Sequence, residues 1–259
     1  MELRDRVAVI TGSTSGIGLG IAQAFAGAGA RVVLNGLGDA DANADAIAVV
    51  RAAGQDVHFN GANMIKPAEI TGLIADAEAT FGRVDILVNN AGIQHVAPIE
   101  DFPAEKWDAI LAINLSSAFH TIRAAVPGMK QRGFGRILNV CSAHSLRASP
   151  HKAAYVAAKH GLAGLTKVVA VELARSGITA NAISPGYVWT PLVEKQIPEV
   201  AAAEGVSEAD AKAILLEKQA TGEFATVEQL GALAVFLASR AADQINGANY
   251  TMDGGWTAQ

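Results

Sequence analysis

The chain has 259 residues, of which 51% are hydrophobic and 17% are charged, with 26 glycines and a formal net charge of −5. This composition predicts a well-buried globular core, and it excludes a mainly disordered chain. The acidic balance, without runs of lysine or arginine, argues against a nucleic-acid partner. No stretch approaches the ~18 uncharged apolar residues that span a bilayer, and the apolar run near the amino terminus is too short for a signal peptide. The single cysteine, Cys141, excludes an internal disulfide and is interpreted as a small apolar residue at a strand end. We expect a cytoplasmic protein with no membrane partner and no metal.

Short apolar runs alternate with longer helical patterns along the chain. Runs with strand character cover residues 7–11, 31–35, 56–60, 84–92, 135–142, 178–186 and 249–255. Helical patterns lie between them, at about 17–28, up to about 53, at 68–80, at 103–130 and at 152–175. Continuous apolar strands that alternate with helices are typical of a parallel sheet covered on both faces. The sequence therefore predicts one α/β domain over residues 1–259, with a doubly wound, Rossmann-type sheet.

One segment departs from this alternation of strands and helices. Residues 191–220 are helical and charged, are interrupted by Pro198 and Gly205, and lie between the last two predicted strands. Ligands bind beyond the carboxyl ends of such strands, so this insertion is a candidate substrate lid. A plain surface helical hairpin is the alternative.

A glycine-rich turn follows the first predicted strand. It reads TGSTSGIG over residues 11–18 and continues into the first helix. Glycines allow a tight turn and let a pyrophosphate approach the backbone at the positive end of a helix. The spacing differs from the commoner G-x-G-x-x-G. Its position between a strand and a helix is what indicates a nucleotide site.

Tyr155 has a lysine on each side, Lys152 three residues before it and Lys159 four residues after it. On a helix this spacing places all three on one stripe. Lowering the pKa of a tyrosine from about 10 by about three units needs ~4 kcal/mol of stabilisation of the phenolate, and Lys159 can supply part of it. Lys152 would stand in the first turn of the helix, where a positive charge is disfavoured by roughly a few tenths of a kcal/mol. We therefore expect Lys152 to have another partner, such as the carboxylate of a small substrate.

Five motifs, in this order, resemble those of the short-chain dehydrogenase/reductase family: TGxxxGxG at 11–18, NNAG at 89–92, Asn114, Ser142 with YxxxK at 155–159, and PG at 185–186. The resemblance covers nearly the whole chain. It implies a sheet of about seven strands, a nicotinamide cofactor, and hydride transfer at a carbon that carries a hydroxyl or ketone.

Roles for individual residues follow from the same resemblance. Tyr155 would be the acid/base, Lys159 would lower its pKa, Ser142 would orient the substrate oxygen, and Asn114 would hold a relay water. The residues expected to bind the cofactor are Gly12, Thr14, Ser15, Gly16, Ile17, Gly18, Asn63, Asn90, Gly92, Tyr155, Lys159, Pro185, Gly186, Val188 and Thr190.

The residues after the second predicted strand favour NAD over NADP. A 2′-phosphate needs a nearby cation, whereas residues 35–38 read NGLG and Ser13 and Ser15 in the glycine turn are neutral. The acidic residue that would hold the ribose hydroxyls of NAD is absent as well. Asn63 stands where family members often have an aspartate facing the adenine, and its amide can still form hydrogen bonds there.

More specific motifs resemble the bacterial D-3-hydroxybutyrate dehydrogenase subfamily. They are NNAGIQH at 89–95, FPAEKWDAI at 102–110, SAH at 142–144, KAAYVAAKHG at 152–161, TPLVEKQI at 190–197 and DGGWTA at 253–258. This resemblance implies oxidation of D-3-hydroxybutyrate to acetoacetate, as in ketone-body metabolism, by a homotetramer. It implies that the substrate carboxylate is bound by Gln94, His144, Lys152 and Gln196, that Trp256 borders the pocket, and that Thr190 faces the nicotinamide carboxamide.

Two positions depart from the subfamily pattern. Tyr187 stands where a tryptophan is usual, and Trp189 stands where arginine is common. The smaller ring of Tyr187 would enlarge or polarise the pocket, so slightly longer 3-hydroxy acids become possible substrates.

Other functions remain open at this point. Within the family, the alternatives are a 3-oxoacyl reductase and a sugar dehydrogenase. A non-catalytic dinucleotide-binding sensor would be expected to lose Ser142, Tyr155 or Lys159, all of which are present. An interaction scaffold without a small ligand would leave the glycine turns unexplained.

Overall fold

The structure, a computed structural model, describes residues 2–54 and 56–259. Its strands are β1 (Val7–Ile10), β2 (Arg31–Asn35), β3 (Val57–Asn60), β4 (Ile86–Asn89), β5 (Gly135–Val140), β6 (Ile178–Pro185) and β7 (Asn249–Met252). They form one seven-stranded sheet in the order β3-β2-β1-β4-β5-β6-β7, and each neighbouring pair is parallel. The predicted doubly wound parallel sheet is confirmed.

Helices connect the strands. They are α1 (Gly16–Gly27), α2 (Ala40–Ala52), α3 (Pro67–Phe81), α4 (Ala104–Leu111), α5 (Ser117–Arg132), α6 (Ala153–Leu173), α7 (Pro191–Glu204), α8 (Glu208–Leu216) and α9 (Val227–Ala238). A π-helical turn, Ala112–Ser116, joins α4 to α5, and a short 3₁₀ turn, Ala143–Ser145, follows β5.

Alternating side chains of the strands face two apolar layers. In β1, Ala8 and Ile10 pack in one buried cluster with side chains of α1, α2 and α9. Val9 points to the opposite side and packs with side chains of α3, α5 and α6. The sheet is therefore covered by helices on both faces, which explains why its strands are almost continuously apolar.

The order of the strands reverses between β1 and β4. The chain builds β1, β2 and β3 outward in one direction and then returns to place β4 on the other side of β1. A crevice opens beyond the carboxyl ends of the strands at such a point. The loops after β1 and β4 carry the predicted glycine turn and the NNAG motif, so the fold brings these two motifs together.

Several local features differ from the sequence predictions or were not predicted. The helix α9 was not predicted, although Thr226 and Gln229 form a capping box at its start. The helix predicted over 103–130 is interrupted by the π-helical turn around Asn114. In α7, Pro198 does not stop the helix, because the buried Val193 and Ile197 hold the turn before it against the protein.

The lysine in front of Tyr155 also differs from its prediction. Lys152 is the residue that precedes α6, with φ −120° and ψ 36°, and the helix begins at Ala153. Lys152 is therefore not in the first turn of the helix, and helical spacing does not fix its direction. Gly205, where the sequence predicted an interruption, does end α7, and it does so in the left-handed conformation.

One helical run is long and apolar enough to cross a membrane by length and composition, considering only the described residues. It is Ala104–Arg132, with a mean hydropathy of 1.3 in its most apolar window. Its buried side chains Ile110, Ile122 and Met129 pack in apolar clusters with α3 and α6. A helix in a protein core meets the same criterion, so the expected lack of a membrane partner stays a prediction.

Candidate active site

A groove of about 410 Å³ lies beyond the carboxyl ends of the first four strands. Of the predicted cofactor residues, the following line it: Gly12, Thr14, Ser15, Gly16, Ile17, Asn63, Asn90, Gly92 and Thr190. Among the described residues, no lysine, arginine, aspartate or glutamate lines the groove. At its outer end, after β2, the side chain of Leu37 is 68% exposed.

The glycine turn leaves the start of α1 open to an anion. Ser15 precedes the helix in an extended conformation, its side chain forms no capping hydrogen bond, and the first turn has no acidic residue. The first backbone N–H groups of α1 therefore point into the groove without a side-chain acceptor, which is the arrangement that binds a pyrophosphate. The groove fits a dinucleotide in this respect.

Close packing explains two of the glycines. Gly12 has φ +60°, and a Cβ on it would lie 2.8 Å from the Cα of Ala91. A Cβ on Gly18 would lie 2.4 Å from the carbonyl oxygen of Gly12. Gly18 therefore packs against the backbone of the glycine turn and does not line the groove. The side-chain Nδ2 of Asn90 donates to the carbonyl oxygens of Thr11 and Gly12, at 3.0 and 2.7 Å. These bonds connect the loop after β4 to the glycine turn.

Other predicted cofactor residues lie outside the groove lining. Pro185 is the last residue of β6, and Gly186 and Val188 line a second, smaller pocket. Tyr155 and Lys159, on α6, are also absent from the groove lining. The side chain of Asn35 does line the groove, but its amide donates to the carbonyl oxygens of Asn60 and Ala62.

The lysine after Tyr155 is almost completely buried. The Lys159 side chain is 3% exposed, and its Nζ donates to the carbonyl oxygen of Val140 at 2.7 Å. The same Nζ lies 5.6 Å from the centre of the Tyr155 ring. Among the described residues Lys159 forms no ion pair, so its positive charge is available to a phenolate on Tyr155.

Asn114 occupies the π-helical turn and is buried. Its Oδ1 accepts from the backbone N–H of Ile93, and its Nδ2 donates to the carbonyl oxygen of Ile93, both at 2.9 Å. These bonds fix the loop after β4. They leave the amide one lone pair and one N–H for a further partner.

The smaller pocket has a volume of about 140 Å³, about one third of that of the groove. It contains most of the predicted substrate residues: Gln94, Ser142, His144, Lys152, Tyr187, Gln196 and Trp256. Ile17 and Thr190 line both cavities, so the pocket and the groove are adjacent. Lys152 is the only charged side chain among the described residues that line the pocket, apart from the titratable His144. Burial, and then the charge of Lys218, lower the pKa of Lys152.

Aromatic rings form one wall of this pocket. Tyr187 and Trp256 stack with their centres 5.6 Å apart and an angle of 10° between their planes, and burial raises the pKa of Tyr187. Trp189 lies away from the pocket, against Phe224 and beneath the ammonium group of Lys212. Of the two unusual residues, only Tyr187 can shape the pocket directly.

His144 lies at the centre of the site. Its Nδ1 is 3.3 Å from Ser142 Oγ, its Nε2 is 3.0 Å from Ser149 Oγ, and its ring forms T-shaped pairs with the rings of Tyr155 and Trp256. Burial, followed by the charges of Lys152, Lys218 and His160, lowers the pKa of His144 to about 4. Both ring nitrogens are engaged within the protein, so His144 would have to release one partner to contact a substrate carboxylate.

Helices α7 and α8 close one side of the pocket. Val193 and Gln196 of α7 line it, while Ile197, Ala211 and Leu215 form a small apolar cluster with Tyr187 and Phe224. The insertion predicted as a lid therefore contributes directly to the pocket.

Sequence reasoning missed three residues that support the site. Gln219 is 2% exposed, and its amide accepts from the backbone N–H of Tyr187 and donates to the carbonyl oxygen of Glu223. Ser149 is hydrogen-bonded to His144, and Lys218 is hydrogen-bonded to Ser149. They are ordinary polar residues in loops, and no spacing in the sequence marks them. Cys141 is buried, and burial raises its pKa to about 11, in agreement with a structural role.

Comparisons with known proteins agree with this geometry. A family profile described as enoyl-(acyl carrier protein) reductase matches residues 12–257. The D-beta-hydroxybutyrate dehydrogenase of Cupriavidus necator is 59% identical over 260 residues, which cover 99% of this chain and 100% of that protein. The chain belongs to the short-chain dehydrogenase/reductase family. It is an oxidoreductase of that family.

Two further short-chain dehydrogenase/reductase relatives illustrate the range of the similarity. The D-beta-hydroxybutyrate dehydrogenase of Rhizobium meliloti is 56% identical over 257 residues, covering 98% of this chain and 99% of that protein. A crystal structure of an Agrobacterium tumefaciens protein with bound NADP has a TM-score of 0.88 and 34% identity, covering 100% of this chain and 98% of that one. The family binds a nicotinamide dinucleotide, and this relative is seen with NADP.

Proposed function

We propose that the protein catalyses the reversible, NAD-dependent oxidation of D-3-hydroxybutyrate to acetoacetate. The observation that carries this proposal is the small pocket beside the groove. It presents one lysine, Lys152, and the two amides Gln94 and Gln196, with no acidic side chain among its described lining residues. Such a pocket suits a short hydroxy acid, because the carboxylate gains charge-assisted hydrogen bonds and the rest of the molecule is small.

The full-length similarity to two D-beta-hydroxybutyrate dehydrogenases supports the same substrate. The sugar dehydrogenase alternative needs room for a polyhydroxylated chain, and a pocket of about 140 Å³ walled by stacked Tyr187 and Trp256 disfavours it. The 3-oxoacyl reductase alternative needs an open path for a carrier-bound chain, whereas Val193 and Gln196 of α7 close one side of the pocket.

Three side chains of the protein have separate roles in the proposed reaction. Ser142 Oγ–H donates to the oxygen of the reacting carbon and orients it. The Tyr155 phenolate takes the hydroxyl proton during oxidation and returns it during reduction. Lys159 stabilises that phenolate with its buried charge, since its Nζ lies beside the ring. NAD, when bound in the groove, supplies the hydride acceptor.

Asn114 is proposed to hold a water between Lys159 and solvent. Its amide already binds the backbone of Ile93 twice, so the water would use the remaining lone pair or N–H. This arrangement lets a proton leave the site without any movement of the amide.

NAD is proposed in preference to NADP because the groove wall lacks a cation among the described residues. After β2 the chain presents Gly36 and the exposed Leu37, where a 2′-phosphate would need arginine or lysine. From the family resemblance we also infer a homotetramer in the cytoplasm. Large apolar side chains exposed on α5 and α6, namely Phe119, Val168 and Val171, would be covered in such an assembly.

A substrate panel tests the proposed function. Initial rates with D-3-hydroxybutyrate and NAD are compared with those for gluconate and NAD, and for a 3-oxoacyl thioester with NADH and NADPH. The proposal predicts that kcat/KM for D-3-hydroxybutyrate exceeds the others by about 100-fold or more, because gluconate is too long for the small pocket and the thioester has no carboxylate for Lys152. A higher kcat/KM for gluconate or for the thioester would contradict it.

A further inference from the structure

A continuous line of hydrogen bonds leads from the end of the lid to Ser142. Lys218 Nζ lies 3.3 Å from Ser149 Oγ, Ser149 Oγ lies 3.0 Å from His144 Nε2, and His144 Nδ1 lies 3.3 Å from Ser142 Oγ. Lys218 follows α8, and Ser149 lies in the loop before α6. Two residues outside the pocket lining therefore reach the group that is proposed to orient the substrate oxygen.

Lys218 is held in place by more than one contact. Its ammonium group lies 5.2 Å from the centre of the Trp256 ring, and its carbonyl oxygen accepts from the side-chain amide of Gln259. An ammonium group can only donate hydrogen bonds. Ser149 Oγ therefore accepts from Lys218, and the Ser149 hydroxyl proton is free to point at His144 Nε2.

The tautomer of His144 decides what Ser142 can do. Ser142 Oγ already accepts from the backbone N–H of His144, at 3.2 Å. If the imidazole proton is on Nδ1, Ser142 Oγ accepts it too, and the Ser142 hydroxyl proton remains for the substrate. If the proton is on Nε2, the Ser142 hydroxyl must instead donate to Nδ1 and is lost to the substrate.

We infer that Ser149 and Lys218 are positioning residues that hold His144 in the Nδ1–H tautomer, so that Ser142 keeps its own proton for the substrate oxygen. This inference rests on the proposed role of Ser142. The positive charge of Lys218, on the far side of Ser149, favours the Nδ1–H tautomer. In that tautomer the lone pair of Nε2 faces the ammonium group of Lys218, and the N–H of Nδ1 points away from it.

The ring remains neutral near pH 7, so the tautomer matters there. The pKa of His144 is lowered to about 4 by burial and by the charged groups that face it, which are Lys152, Lys218 and His160. The rings of Tyr155 and Trp256 complete its surroundings. No carboxylate among the described residues pairs with the ring, so the hydroxyls of Ser142 and Ser149 are left to select the tautomer.

Nuclear magnetic resonance tests the tautomer directly. Long-range ¹H–¹⁵N spectra of the ¹⁵N-labelled protein at pH 7, without substrate or cofactor, report which ring nitrogen of His144 is protonated, and a His144→Gln variant assigns the signals. We expect a protonated Nδ1 in the native protein. In Ser149→Ala we expect a mixture of tautomers, and in Ser149→Thr, which keeps the hydroxyl, the native pattern. A protonated Nε2 in the native protein would overturn the inference.

Kinetics of the same variants provide the second readout. Ser149→Ala should lower kcat about tenfold, as for the loss of one hydrogen bond, with a smaller change in KM, and Ser149→Thr should restore kcat. Lys218→Met should shift the tautomer in the same direction as Ser149→Ala. Lys212→Met is the matched control, since Lys212 also stacks on aromatic rings but does not reach Ser149, and it should leave tautomer and kcat unchanged.

The outcomes separate this inference from the proposed function. A higher KM for Lys218→Met with an unchanged tautomer would show that Lys218 only attracts the anionic substrate, and its positioning role would be wrong. Unchanged tautomer and kcat in Ser149→Ala would overturn the role of Ser149. The spectra need no substrate, so they stand even if D-3-hydroxybutyrate is not oxidised.

Discussion

Replacing Lys152 tests whether the pocket recognises a carboxylate. Lys152→Met keeps most of the aliphatic stem and removes the charge. In the structure Lys152 is half-buried beside Gln94 and Gln196, and its pKa is lowered by burial and by Lys218. A bound anion would oppose both effects on the pKa, so the charge of Lys152 favours an anionic ligand in this pocket.

The expected magnitude follows from the type of bond that is lost. A hydrogen bond between charged groups contributes about 1.5–3 kcal/mol, and each 1.4 kcal/mol is about tenfold in an equilibrium constant. Lys152→Met should therefore lower kcat/KM for D-3-hydroxybutyrate by about 10- to 150-fold. The loss should appear mainly in KM, because the carboxylate is bound in both the ground state and the transition state.

The assay follows NADH absorbance at several substrate concentrations, with the acid and with its neutral methyl ester. The ester cannot pair with an ammonium group, so its kcat/KM should change by less than about threefold in the variant. Lys195→Met is the control, because Lys195 is exposed on α7 next to Gln196 and does not line the pocket. A change of less than twofold with the acid, or an equal loss with acid and ester, would refute the role of Lys152.

Further predictions concern the acid/base, the cofactor, the pocket wall and stability. Tyr155→Phe should lower kcat by about 100-fold or more, as for a lost general acid/base, while fluorescence titration still shows NADH binding; near-normal turnover would contradict the assignment. Leu37→Arg should raise kcat/KM with NADP at least about tenfold, through a new charge-assisted bond to the 2′-phosphate, with Leu37→Gln as the uncharged control; equal effects of the two variants would show that position 37 does not face the 2′-phosphate. Tyr187→Trp should increase the preference for the four-carbon over the five-carbon 3-hydroxy acid, and an unchanged ratio of kcat/KM values would remove Tyr187 as a determinant of chain length. The pKa of His144 is about 6.5 in the unfolded chain and about 4 in the folded protein. Between these two values the unfolded chain binds more protons than the folded one. The free energy of unfolding is therefore highest above about pH 6.5 and falls as the pH is lowered towards 4. Urea unfolding should show about 2 kcal/mol less stability at pH 5 than at pH 7 from this group, and His144→Gln should reduce that difference; the same difference in both proteins would show that other groups cause it.

The sheet and the cofactor groove follow from local patterns in the sequence. Strands such as β1 and β4 are short, apolar and bounded by glycine or asparagine, and parallel strands place the residues that follow them at one edge. The family resemblance assigned both the glycine turn at Gly12 and the loop at Asn90 to cofactor binding. In the structure the Asn90 side chain is hydrogen-bonded to the carbonyl oxygen of Gly12, so the two motifs lie at the same groove.

Features that depend on tertiary contacts could not be predicted in this way. Lys152 was expected on the same helical stripe as Tyr155, but it precedes α6. It lines the pocket together with Gln196 because of the tertiary fold, which helical spacing does not describe. Ser149 and Lys218 are separated by 69 residues and meet only because the segment after α8 folds back against the loop before α6. Pro198 is tolerated within α7 because Val193 and Ile197 are buried against the protein. Helix propensities describe single residues and do not include such tertiary contacts.

The direct test of the proposed function is a four-way measurement of kcat/KM, with D- and L-3-hydroxybutyrate each assayed with NAD and NADP. It addresses catalysis, cofactor choice and stereochemistry together. The uncharged groove wall predicts NAD over NADP, and the proposed function predicts the D- over the L-enantiomer, so D-3-hydroxybutyrate with NAD should exceed each other combination by at least about tenfold in kcat/KM. No oxidation of either enantiomer, or equal turnover with NADP, would contradict this account.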